Sequence, residues 1–144
     1  MNLGLLGAGL VMGVSTIGSG IGLWIVGQAV VGAWKKCYVA GKPAPMILLA
    51  FAAMPLSQTF YGFILMNQML TAAPANPDKA LLYLGIGMAA GISNLITAVS
   101  QGKISASAAD AQAETGKGFA QYIAVIGIAE SIALFAMVFS MIAL

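Results

Sequence analysis

The sequence has 144 residues, 60% of them hydrophobic and only 7% charged, with no histidine and a formal net charge of +2. A chain this apolar cannot coat a water-facing surface, and so small a charge gives no basis for binding nucleic acid; it reads as an all-α integral membrane protein. The lone Cys37 has neither a second thiol nor a histidine beside it, which sets aside disulfide, zinc and thiol–imidazole chemistry and leaves it an incidental residue at the membrane edge.

From Leu3 to Trp34 the apolar run greatly exceeds a signal-peptide core and has no basic start, so it is expected to be a mature first transmembrane helix. Its glycines would weaken a soluble helix, but in lipid they let backbones approach, and Gly9/Gly13 and Gly18/Gly22 both have GxxxG spacing. Lys35 to Pro45 reads as a polar loop. The second helix is expected from Met46 to Ala73, bulkier in Phe and Tyr and broken at Pro55. Proline there should leave the carbonyl of Phe51 without its usual partner, beside the polar side chains of Ser57 and Gln58. Those two side chains serve equally well as ligands or as hydrogen bonds between helices.

Pro74 to Lys79 is a turn, and a third helix follows from Ala80 to Ala113, apolar at first and polar after Gln101. Taken alone, Gln101 is a structural or solvated amide. Glu114 to Lys117 is the last loop, and Gly118 to Leu144 is a fourth apolar run carrying one acid, Glu130. A lone carboxylate in hydrocarbon must be protonated, paired or bound to a cation, so Glu130 reads as functional; the alternative is a hydrogen-bonding role between helices.

The two halves are alike. Leu6, Gly7, Gly9, Gly13 and Ser15 recur 78 positions later as Leu84, Gly85, Gly87, Gly91 and Ser93. Ser57 and Tyr61 match Ser131 and Phe135 at an offset of 74, which sets Leu56 opposite Glu130. The expected organisation is therefore a first helical hairpin at 1–73, a connecting turn at 74–79 and a second hairpin at 80–144, with a single carboxylate among four helices. The small-residue helices, first and third, are expected inside, with the bulkier second and fourth outside.

A duplicated glycine-rich hairpin with one acid in its fourth helix resembles the membrane rotor-ring proteolipid of V-type and archaeal-type ATPases, over nearly the whole chain. The motifs MPLSQTFYGF, SQGK and AES resemble the sodium-translocating branch. That resemblance implies a homo-oligomeric ring with Na+ held by the Met54 backbone carbonyl, Ser57, Gln58, Gln101 and Glu130, and with the Tyr61 hydroxyl steadying the glutamate. It also implies a static membrane subunit bearing a basic residue, a central stalk and peripheral ATP-hydrolysing subunits. This chain has no P-loop and no catalytic residues of its own.

Sodium prefers oxygen ligands, and one carboxylate with neutral oxygens would balance its charge, whereas a proton needs only the carboxylate. The paired glutamines therefore favour sodium over the alternative, a proton-coupled rotor of the same fold; a small secondary transporter or pore is a third reading. Helix rise places Gln58 about 24 Å from Pro74, Gln101 about 31 Å from Ala80 and Glu130 about 21 Å from Leu144, depths that agree only to about 10 Å. Lys35, Lys36, Lys42 and Lys117 against Lys79 put the two loops in the cytoplasm and both termini on the opposite side.

Overall fold

The computed structural model describes residues 3–144, so Met1 and Asn2 of the expected first hairpin lie outside the described residues. Helix α1 runs over Leu3–Val39, past the expected end at Trp34. The apolar run stops at Lys35, but nothing breaks the helix until Gly41, whose φ of +66° closes a C-terminal cap. There Gly41 N–H donates to Tyr38 O and Lys42 N–H to Cys37 O. Lys36, on this projecting turn, pairs with Asp110 at 2.8 Å and approaches Glu114 at 3.7 Å.

The second span comprises α2 (Leu48–Ala53), one 3-10 turn (Met54–Leu56) and α3 (Ser57–Ala75). Pro55 breaks the α-helix as expected, but the carbonyl of Phe51 is not left free. The Met54 N–H tightens onto it in an i→i+3 bond, which is how a 3-10 turn absorbs a missing donor. A second 3-10 turn (Pro77–Lys79) leads into α4 (Ala80–Thr115). Gly116, at φ +66°, ends α4 through its N–H to Gln112 O, and α5 follows over Phe119–Ile142. Among the described residues the fold is all-helical, with four helices long and apolar enough to cross a membrane: Leu3–Val39, Leu48–Ala75, Pro77–Thr115 and Phe119–Ile142.

Helices α1 and α4 run parallel and form the central seam. A Cβ on Gly7 would strike the backbone of Tyr83 and Leu84, one on Gly18 that of Leu95, and one on Gly102 that of Gly22. Close approach therefore requires glycine at these positions. Gly9 and Gly13 face open space within the chain, so of the two GxxxG pairs only Gly18/Gly22 packs internally. Helix α5 is the least buried of the four spans.

The Lys36–Asp110 bridge puts the ends of α1 and α4 together, and the Tyr83 hydroxyl donates to Leu144 O at 3.0 Å at the opposite end. One apolar cluster, around Ala8, Val11, Leu65 and Tyr83, fills the end nearer the termini. A second, around Val26, Leu48, Phe51 and Ile126, fills the loop end. Between them lies a buried polar layer containing Ser15, Gln58, Asn94 and Gln101.

Candidate ion-binding site

The break at Pro55 sets the site's first edge. Because α3 starts afresh at Ser57, its first turn presents Ser57 and Gln58 beside the 3-10 turn, and Ser57 Oγ donates to Met54 O at 3.2 Å. One turn on, the Tyr61 hydroxyl crosses to α5 and donates to Glu130 Oε1 at 2.7 Å. That distance is typical of a hydroxyl donating to a carboxylate, a strong charge-assisted bond. Glu130 is half-buried, so its carboxylate is neither sealed in the core nor fully open on the helix surface.

The glutamines meet directly. Gln58 and Gln101 are fully buried, and Gln58 Nε2 donates to Gln101 Oε1 at 3.0 Å. Gln101 Nε2 in turn donates to Ile126 O at 3.4 Å, one helical turn from Glu130 on α5. Three helices, α3, α4 and α5, are thus joined by hydrogen bonds within about one helical turn of Glu130. Gln58 Oε1 is buried with no donor. An amide oxygen in that condition costs about 1–3 kcal/mol unless water or a cation reaches it.

The set therefore offers one carboxylate, two amide oxygens, a hydroxyl and a backbone carbonyl. Among the described residues, no three His, Cys, Asp or Glu side chains gather to hold a metal ion. An ion here would rely on neutral oxygens around a single charge, a donor set that fits Na+ and is too weakly charged to select a divalent ion.

Two contributors were not legible in the sequence. Ile126 acts through its backbone carbonyl, which no side-chain pattern reveals. Asn94 donates to Ser15 Oγ at 2.8 Å, and Ser15 Oγ donates to Val11 O at 2.6 Å. Gly62 packs on that serine so closely that a Cβ would strike its side chain, which seats α3 on α1 beside Tyr61. The signal available was an amide, Asn94, in the apolar part of its helix.

Residues 84–143, most of the second hairpin, match the family model of the ATP synthase C subunit. Over 143 residues the chain is 29% identical to A-type ATP synthase subunit K of Methanocaldococcus jannaschii, covering 99% of this chain. The chain is thus similar to the C and K subunits of ATP synthases. The chain spans 61% of the length of that relative. The family match covers α5 with Glu130 and the part of α4 with Gln101, while Ser57, Gln58 and Tyr61 lie in the half matched only by the relative.

Proposed function

We propose that this chain is the non-catalytic rotor-ring subunit of a rotary ATPase and carries Na+ across the membrane on Glu130. The observation that carries the reading is the buried, donor-less Gln58 Oε1, tied through Gln101 to the α5 turn that bears Glu130. Met54 O, Ser57, Gln58 and Gln101 supply neutral oxygens, Glu130 supplies the charge, and Tyr61 holds the carboxylate in place. The two hairpins, 1–73 and 80–144 about the 74–79 turn, are the duplicated units, and copies assemble in a ring.

Electrostatics gives the mechanism. With an ion bound, the site is neutral and can face lipid as the ring turns. An empty site is anionic and is confined to the contact with a static membrane subunit, where a basic side chain stabilises it. Moving one charge against 100 mV requires about 2.3 kcal/mol, supplied by ATP hydrolysis in a peripheral sector. Glu130→Gln keeps the size of the side chain and removes its charge. A ring carrying it throughout is expected to insert and assemble but to transport no ions under ATP; normal transport by that ring would eliminate the mechanism, and loss of assembly would point to a structural glutamate.

The lysine distribution orients the molecule, with the α1–α2 connection at 40–47 and the α4–α5 connection at 116–118 cytoplasmic and both termini outside. Cys37 is only 6% exposed and makes a poor reporter, whereas its neighbour Tyr38 is 69% exposed. In a Cys37→Ala background, Tyr38→Cys should react with an impermeant thiol reagent from the cytoplasmic face alone; reaction only from outside would invert the topology.

A further inference from the structure

The seam between α1 and α4 is made of small residues in close contact: Gly7 lies on Gly87, Gly18 on Leu95, and Gly22 on Ala98 and Gly102, backbone against backbone. Contacts of this kind carry no direction, so they set the distance between two helices better than their register. One directional contact interrupts them. Asn94 Nδ2 of α4 donates to Ser15 Oγ of α1 at 2.8 Å, and Ser15 Oγ donates to Val11 O at 2.6 Å. Both side chains are buried. Lys36–Asp110 crosses the same seam, but that bridge is exposed at the loop end.

The amide costs stability where it stands. Asn94 Oδ1 is buried with no donor, whereas Ser15 would keep its bond to Val11 O if Asn94 were absent. Nor is the amide common to both halves. At the repeat offset of 78 its counterpart is Thr16, an exposed residue whose Oγ1 donates to Met12 O of its own helix. Asn94 is therefore particular to the second hairpin, as Glu130 is. The best-attested service of a buried, half-satisfied amide between helices is to fix a register that apolar packing leaves loose.

That register governs groups two turns away. Gln101 follows Asn94 at about 10.5 Å along α4, on nearly the same face, and there it accepts from Gln58 of α3 and donates to Ile126 O of α5. On the other side of the bond, Gly62 of α3 lies on Ser15, where an added Cβ would come within 2.6 Å of the serine Oγ. Beside Gly62 is Tyr61, whose hydroxyl donates to Glu130. Ser15 is thus a common seat for α3 and α4, the helices that present Gln58, Tyr61 and Gln101. We propose that Asn94 and Ser15 are positioning residues for the ion site. Their bond fixes α4 against α1 and α3, and with it the meeting of Gln58 with Gln101 and, through α5, of Tyr61 with Glu130. Neither residue touches the ion. This role rests on reading Glu130 and its neighbours as an ion site; the bond and its unpaired oxygen do not.

Two variants of the full chain remove the bond from opposite sides. Asn94→Leu deletes the unpaired oxygen at similar volume, so the thermal midpoint in detergent should rise; Ser15→Ala leaves the whole amide unpaired, so the midpoint should fall. Both should nevertheless raise the sodium concentration that half-protects Glu130 from a carbodiimide, by about threefold to tenfold. Because each removes the same bond, the double variant should show no larger rise than the greater of the two. Half-protection unchanged in both single variants, or effects that multiply in the double variant, would overturn the positioning role. So would protection that simply tracks the thermal midpoint, as expected of residues that only support packing. If wild-type labelling ignores sodium, the sodium reading fails and the pH profile of labelling becomes the readout. Both single variants should then displace that profile alike, and an undisplaced profile would overturn the role by itself.

Discussion

Gln58 shows how one side chain links packing to chemistry. Its amide nitrogen is spent on Gln101 and its oxygen is left buried without a donor. Gln58→Ala removes that oxygen and also strands Gln101 Oε1, which costs about 1–3 kcal/mol of stability. If the oxygen is a sodium ligand, the sodium concentration that half-protects Glu130 from a carbodiimide should rise about tenfold, equivalent to about 1.4 kcal/mol. Glu130 should still be labelled in sodium-free buffer, because its carboxyl remains; an unchanged half-protecting concentration would take Gln58 out of the ligand set. The side chains of this site were legible as types at membrane depth, because a polar group in an apolar run is conspicuous. Its backbone members were not: the Ile126 carbonyl enters only through the fold, and Met54 was named only through the family resemblance.

The helices were legible as elements because each apolar run exceeds what a bilayer needs. Their ends were not, because helix termination answers to glycine and proline rather than to hydropathy. Thus α1 continues through Lys35 and Lys36 and stops only at the cap formed by Gly41. Pro55 was legible as a break, but the closing of the Phe51 carbonyl by Met54 depends on the local tightening to a 3-10 turn. Glycine spacing was ambiguous for the same reason: Gly9/Gly13 and Gly18/Gly22 look alike in sequence, and only the second pair meets a helix of the same chain. Gly102→Ala should therefore push α4 off the Gly22 backbone and destabilise the protein by about 1–3 kcal/mol. Gly127→Ala on α5, with nothing within 4 Å, should be neutral or slightly stabilising. Thermal unfolding of the two variants in detergent checks this; equal midpoints would mean the seam is not tightly packed.

At the scale of the whole molecule, the duplication organises everything else. It was visible in the sequence as a repeated glycine pattern, and in the fold it takes the form of parallel α1 and α4 meeting at small residues. Depth counting along the helices agreed too loosely to find the site; hydrogen bonds linking α3 to α4, α4 to α5 and α3 to α5 bring the residues together across one turn of α5. Divergence between the halves left a single carboxylate, Glu130 where the first half has Leu56, so each copy has one ionisable site in the membrane. In the proposed ring, ion binding at this one carboxylate would alternate between neutral and charged states.

The most direct measurement of that claim is carbodiimide labelling of Glu130 in the wild-type ring across pH, with and without sodium. The reagent attacks the protonated carboxyl, and a bound sodium ion keeps Glu130 deprotonated, so millimolar sodium should slow labelling, and more strongly as pH rises and proton competition weakens. Potassium should protect much less. Labelling that follows pH but ignores sodium throughout would contradict the sodium site and leave a proton-coupled rotor in its place.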